Sequence, residues 1–384
     1  MGVLSTAAAL RQVGWSLSPW APAPRPSDPR DVDSAFLTSV LAADHPGARI
    51  ESLQDVGGSE GTTDRRRVVL RWNAAGRDAA LPSGLFLKGT SRTAKNRAMA
   101  GGLSMATNEV LFYERVSRDV ADICPRSFAA TSGHGARHLL VLEDLVAAGA
   151  KPYVLADECD VHHADGVVRA LAQLHAAFEH SPRFATDLAF AKPMTQRAGA
   201  GLLRLTMRRV RSTFLKHSDR HPIGPHATAM LQLVQRHDRS LYARWERGAQ
   251  TLLHGDSHLG NTFQRADGRA GLLHWQVVFR DQGIREVAYF LGAGVPVELR
   301  RTHERTLVQT YLDVVTAAGG TAMSFDDAWL AYRFYLFDAW DSASICVLWP
   351  GLQSPENVEA SVVRVNAAVE DLEDDRAIAA MLER

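Results

Sequence analysis

Apolar residues recur along this chain first in short alternating runs and later at intervals of three and four, which predicts a sheet-rich first third followed by helices. One early exception is Asp33 to Ala43. There Ala35, Phe36, Val40 and Leu41 fall on a helical face, Asp31 or Asp33 can cap it, and Pro46-Gly47 ends it. Strands are predicted over Ile50 to Val56 and Arg66 to Trp72, with a turn at Ala74 to Asp78, and again at Leu85-Phe86-Leu87-Lys88 and Leu139 to Leu145. A helix is predicted from about Ser104 to Val120. Beyond residue 146 the helical period dominates. Val167, Val168, Leu171, Leu174 and Phe178 line one face of a helix that Asp165 can cap. Helical spacing returns over Ala227 to Arg247 and Trp329 to Trp349. Two short apolar pieces, Leu252-Leu253 and Gly271-Leu272-Leu273, interrupt it.

At 384 residues the chain can bury two cores, and 43 basic against 43 acidic side chains leave no net field to attract a nucleic acid or a membrane surface. No apolar run reaches the ~20 residues of a membrane span, and the N-terminus lacks a basic, apolar leader. Three scattered cysteines, Cys124, Cys159 and Cys346, read as buried thiols in a reducing compartment. A soluble cytoplasmic protein is expected, without nucleic-acid or membrane partners and with its oligomeric state unread. Pro19 to Pro29 predict an extended arm over residues 1–30.

Four places carry chemistry. Gly57-Gly58-Ser59-Glu60-Gly61-Thr62 joins two strands, and such a loop can lay backbone N–H groups over phosphates. Lys88 closes an apolar strand, where an ammonium is costly to bury unless an anion meets it; Glu109 on the next helix can. Arg204, Arg208, Arg209, Arg211, Lys216 and Arg220 read as a solvated helix face, and Asp338 and Asp341 as exposed acids beside Trp340. His175, beside an apolar stripe, reads as a structural core histidine. Finally, Leu252-Leu253-His254-Gly255-Asp256 places a carboxylate after a strand, and Asn261 follows it by five positions.

In this order the glycine loop, strand lysine, helix glutamate, acid-ended strand and His-Gly-Asp loop resemble the aminoglycoside phosphotransferase and choline-kinase-like small-molecule kinases, ecdysteroid-kinase-like members included. The resemblance spans about residues 50 to 345. It implies an α+β, bilobal protein-kinase-like fold. Residues 31–145 would form an N-lobe of antiparallel sheet plus helix, and residues 146–384 a mainly α-helical C-lobe. It implies ATP and Mg2+ as cofactors and a small-molecule hydroxyl as acceptor. Gly58, Ser59, Gly61, Thr62, Lys88, Glu109, Glu143 and Leu145 would bind nucleotide, with Glu143 to Val146 as the hinge. Asp256 would be the catalytic base and Asn261 a metal ligand.

The chain departs from the family at two positions. Glu286 stands where an aspartate is usual, and His274 stands where the second metal-binding aspartate is expected. Imidazole is a poor magnesium ligand and a better one for manganese, so His274 is carried as both a catalytic and a metal position, with Mn2+ beside Mg2+. Asp281, seven residues on, is a substitute carboxylate. A protein that binds nucleotide or metabolite without transfer, and a reused cleft with His274 as acid or base, stand as alternatives.

Overall fold

The computed structural model describes residues 2–197, 199–217, 222–349 and 351–383; Arg220 of the basic run lies outside them. The chain divides into two units, one of Met1–Lys151 with His274–Val277 and one of Pro152–Leu273 with Val278–Arg384.

In the first unit, β1 (Ile50–Ser59), β2 (Thr63–Trp72), β3 (Gly84–Thr90), β4 (Ser127–Ser132) and β5 (His138–Glu143) form an antiparallel sheet in the order β1-β2-β3-β5-β4. Alternation sorts its faces. Val68, Leu70 and Trp72, Leu85 and Leu87, and Leu139 and Val141 point to one side. There they pack with Leu37 and Leu41 of α2 (Ser34–Leu41), which Asp33 caps through the Phe36 N–H. Lys88 and Leu140, paired across β3 and β5, take the other face.

Residues 2–17 are helical rather than extended, a correction to the expected arm: α1 (Gly2–Leu17) is alanine-rich and packs on α4 (Ala94–Gly102). The proline-rich run that follows remains a strap along the sheet. Pro22 O accepts from His134 N (2.9 Å) and Ser27 O from Thr90 N (3.0 Å). The turn expected at 74–78 is a short helix, α3 (Ala74–Asp78), capped by Asn73. The helix expected over 104–120 ends earlier, as α5 (Met105–Arg115). Its Phe112 stacks on Trp275 at 3.8 Å, which fastens His274–Val277 to this unit.

A two-residue strand, β6 (Lys151–Pro152), marks the division. In the second unit α6 (Val161–Phe178) starts earlier than expected, because Asp160 and not Asp165 caps it through His163 N; Asp165 instead bonds Arg169 on the same helix. Next come α7 (Ala200–Lys216) and α8 (Pro225–Trp245). A two-stranded and a three-stranded sheet, the latter with β6 at its edge, frame the His254-Gly255-Asp256 loop. β7 (Thr251–Leu253) pairs with β10 (Phe279–Asp281), and β8 (Thr262–Gln264) pairs with β9 (Ala270–Leu272). Then α9 (Ile284–Tyr289), lengthened by a π-helical turn over Phe290–Gly294, leads into α10 (Val297–Ala317), α11 (Phe325–Phe334), α12 (Leu336–Leu348), α13 (Pro355–Leu372) and α14 (Asp374–Glu383).

Among the described residues no helix is long and apolar enough to cross a membrane. Of the three thiols only Cys124 is buried; Cys159 and Cys346 are half-buried, since each lies near an end of packed structure and not in its core.

Candidate active site

In the first unit the predicted ion pair is made. Lys88 Nζ lies 2.8 Å from Glu109 Oε1 and 2.7 Å from Oε2, with both side chains buried. Burial pulls the lysine below its ordinary pKa, and the glutamate charge opposes that shift. His274 joins them. Its backbone is left-handed (φ 63°), a conformation histidine tolerates better than most side chains, and its Nδ1 stands 3.2 Å from Lys88 Nζ. An ammonium can only donate, so Nδ1 is the acceptor and the ring proton sits on Nε2. Lys88→Met should therefore destabilise the fold by about 3–5 kcal/mol, because Glu109 is left buried without its cation, and Lys88→Met/Glu109→Leu should recover most of that loss. Urea unfolding measures both; a single variant as stable as wild type would show that the pair is not structural.

The glycine loop is the β1–β2 hairpin. Gly58 and Ser59 end β1, Gly61 and Thr62 form the turn, and Gly61 O accepts from Asn96 Nδ2 at 2.5 Å. Ser59 Oγ accepts from Arg65 Nη1 at 3.3 Å. At the other end of the sheet Glu143 closes β5 and accepts the Arg126 N–H (3.1 Å), and Leu145 is buried. Between them, Asp144 is buried against Arg67 and also caps Val146 N and Ala147 N. That carboxylate, more than Glu143, fixes the turn.

The second unit presents Asp256 with its two carboxylate oxygens separately held. Asn261 Nδ2 donates to Oδ2 at 3.0 Å and to the Asp256 carbonyl at 2.6 Å, and the Tyr289 hydroxyl donates to Oδ1 at 2.8 Å. Burial, reinforced by the Asp256 charge, raises the Tyr289 hydroxyl well above the ordinary tyrosine value, so it stays a donor. His258 Nε2 is 3.7 Å from Asp256 Oδ2, and burial lowers its pKa against the pull of that carboxylate.

His254 braces the loop. Its Nδ1 accepts from Asp256 N (3.2 Å) and its Nε2 lies 2.5 Å from the Leu273 carbonyl, which fixes the proton on Nε2. Beneath the loop, Glu286 receives His254 N (2.9 Å), Gly255 N (2.6 Å) and His175 Nε2 (3.0 Å). Gly255 turns its amide toward that carboxylate with φ 89°, a backbone that suits glycine. His175 is structural, bridging Glu286 to the Tyr311 hydroxyl (3.0 Å).

Asp281 is not a stand-in for the missing carboxylate. It is buried on β10, accepts from Gln282 N (2.7 Å), and faces Arg285, Asp338 and Tyr335. Burial raises its carboxyl well above the ordinary range, against the Arg285 charge. Asp338 and Asp341, expected as exposed acids, are buried and paired with Arg285 and Arg211; Arg211, expected on a solvated face, is fully buried. An arginine inside an acid-bearing helix bundle is drawn in because each charge makes the other's burial tolerable.

Sequence reasoning passed over Tyr289, Arg65 and Arg197. Tyr289 is three residues after Glu286, on the same helical face, which is the signal that could have found it. Among the described residues Arg197 makes no ion pair; it lies over the Phe279 ring (4.8 Å), and burial, helped by repulsion from Arg285, lowers it to about 10.

The metal expectation is tested by these donors. His274 offers no charge and turns Nδ1 to an ammonium. The amide nitrogen of Asn261 is spent on Asp256, which leaves one neutral oxygen. Among the described residues no three His, Cys, Asp or Glu side chains are grouped to hold a metal ion. The residues do not fit a protein-held magnesium or manganese.

The model of the ecdysteroid kinase-like family matches residues 67–318, more than half of the chain. A solved structure assigned as an aminoglycoside phosphotransferase from Ralstonia eutropha JMP134 is similar at a TM-score of 0.50 and 13% identity, covering 91% of this chain and 98% of that one. The choline kinase of Streptococcus pneumoniae aligns at a TM-score of 0.47 and 10% identity, covering 88% of this chain and 98% of the other. The first of these likenesses establishes the kinase-like phosphotransferase fold and nothing finer. No curated protein matches the sequence.

Proposed function

The chain belongs to the ecdysteroid kinase-like family, and on that premise we propose that it transfers the γ-phosphoryl group of ATP to a hydroxyl of a small molecule. The observation that carries this reading is Asp256, a half-buried carboxylate aimed by Asn261 and Tyr289. An acceptor hydroxyl donates its hydrogen to Asp256. As its oxygen bonds the γ-phosphorus, the bond to the bridging oxygen breaks, ADP leaves with the electron pair, and the proton ends on Asp256. Lys88, held by Glu109, offsets charge on the nucleotide phosphates. Gly58, Ser59, Gly61 and Thr62 supply the covering hairpin, and Glu143 and Leu145 the nucleobase contacts.

For the acceptor, Asp338 and Asp341 beside Trp340 offer no free carboxylate to a polyamine, since both are buried and paired with arginines. Arg197, which makes no ion pair among the described residues and lies within the field of Asp256, favours a neutral or anionic acceptor over an aminoglycoside. A second reading, nucleotide binding without transfer, is favoured by one observation, the occupation of Lys88 by His274.

Radiolabelled ATP separates the two. Incubation with pooled hydroxyl compounds should move label into a new product from γ-labelled but not α-labelled ATP. Tight ATP binding with label transferred neither to any acceptor nor to water would favour the second reading.

A further inference from the structure

On the face of the five-stranded sheet that carries the Lys88–Glu109 pair, a second cation lies beside the lysine with part of its hydrogen-bonding capacity unused. Arg65 on β2 is paired directly with Lys88 on β3, and Thr63 with Thr90, so their side chains share a face. Arg65 reaches the hairpin turn, where Nη1 donates to Ser59 Oγ at 3.3 Å. Its Nε is buried without a hydrogen-bond partner, as is Thr63 Oγ1, and among the described residues Arg65 makes no ion pair. Burial lowers both cations against the charge of Glu109; Asp64 also supports Arg65, and the Arg65 charge lowers Lys88 further.

Arg65 and Lys88 crowd two cations into a desolvated place, and the Arg65 Nε is left there with no acceptor. Such a site costs free energy until an anion fills it. His274 adds no negative charge and accepts a hydrogen bond from Lys88. A carboxylate at that position would put a negative charge beside the two cations; an imidazole puts none.

We propose that Arg65 and Lys88 together hold the nucleotide phosphates directly, so that nucleotide binding does not depend on a divalent cation. This rests on the nucleotide-binding reading above. It follows from the poor fit of the donor set to a metal: the charge that a bound magnesium would bring is supplied here by the guanidinium. Arg65 can donate from Nε and from its second terminal nitrogen in the fork geometry that suits phosphate oxygens. Thr63 Oγ1 is placed two residues before it on the same face.

Calorimetric titration with ADP tests it, in excess EDTA and in excess magnesium at matched ionic strength. Wild type should bind with about equal affinity in both. Arg65→Gln should weaken binding by about tenfold or more in EDTA, and Arg65→Lys by less, since it keeps the charge and loses the fork. His274→Asp should make affinity depend on magnesium. Wild-type binding only with magnesium would overturn the proposal and leave the nucleotide site intact. No binding in either buffer would instead sink the nucleotide-binding reading itself. Arg65→Gln matching wild type in EDTA would remove Arg65 from the site. Should Arg65→Gln not fold, Arg65→Lys and the wild-type comparison between buffers still decide.

Discussion

Replacing Asp256 by Asn should lower phosphoryl transfer by about 10²–10⁴-fold, the usual contribution of a positioned general base, while leaving ADP affinity and thermal stability close to wild type. The separation of these effects follows from the geometry. Asn is isosteric, so Asn261 Nδ2 keeps an oxygen to donate to, and the Tyr289 hydroxyl can rotate to accept from the new amide where it donated to Oδ1. What disappears is the ability to take a proton. Single-turnover transfer and calorimetry on the same preparation measure the two separately. Transfer at the wild-type rate would remove Asp256 from the chemistry. A large loss of stability instead would mean that the carboxylate serves mainly to hold the loop together.

Much of this site is legible in the chain because its parts are local. The alternation over Leu85 to Lys88 places a strand with a lysine at its buried end, and Glu109 lies on the helix that follows. The run from Leu252 to Asn261 carries its own spacing. What the sequence hides depends on pairing and packing between distant segments. Arg65 is unremarkable in the run Arg65-Arg66-Arg67 until strand register sets it against Lys88 and turns Arg66 to the opposite face, where it meets Asp55. Asp338 and Asp341 read as surface acids because nothing near them in sequence reveals Arg285 and Arg211. The helix over residues 2–17 is hidden in the sequence by the prolines after it, although the alanines at 7 to 9 favour a helix. Asp281 is close to His274 in sequence, yet β10 pairs with β7 and commits it to a buried cluster with Arg285.

Glu286→Gln should be the most damaging isosteric change in the second unit, costing about 3 kcal/mol. The two loop amides go to different oxygens, Gly255 N to Oε1 and His254 N to Oε2, and His175 adds a third donor at Oε2. A glutamine has one oxygen and one NH2 group. Whichever way it turns, a backbone N–H faces another donor in a buried place, and the loop that aims Asp256 is released. Burial alone would raise the Glu286 carboxyl, but the hydrogen bond and charge of His175, with His254 and Gly255, more than offset this and hold it below its ordinary 4.5. A carboxyl depressed in the folded state contributes stability that is fully present above its unfolded value and is lost as pH falls through the folded one. The gap in unfolding free energy between wild type and Glu286→Gln should therefore be constant from neutral pH down to about 5 and narrow below 4.5. Urea unfolding across that range measures it. A gap that widens toward acid would mean that Glu286 is protonated in the fold, and that the amides of His254 and Gly255 are held by something other than its charge.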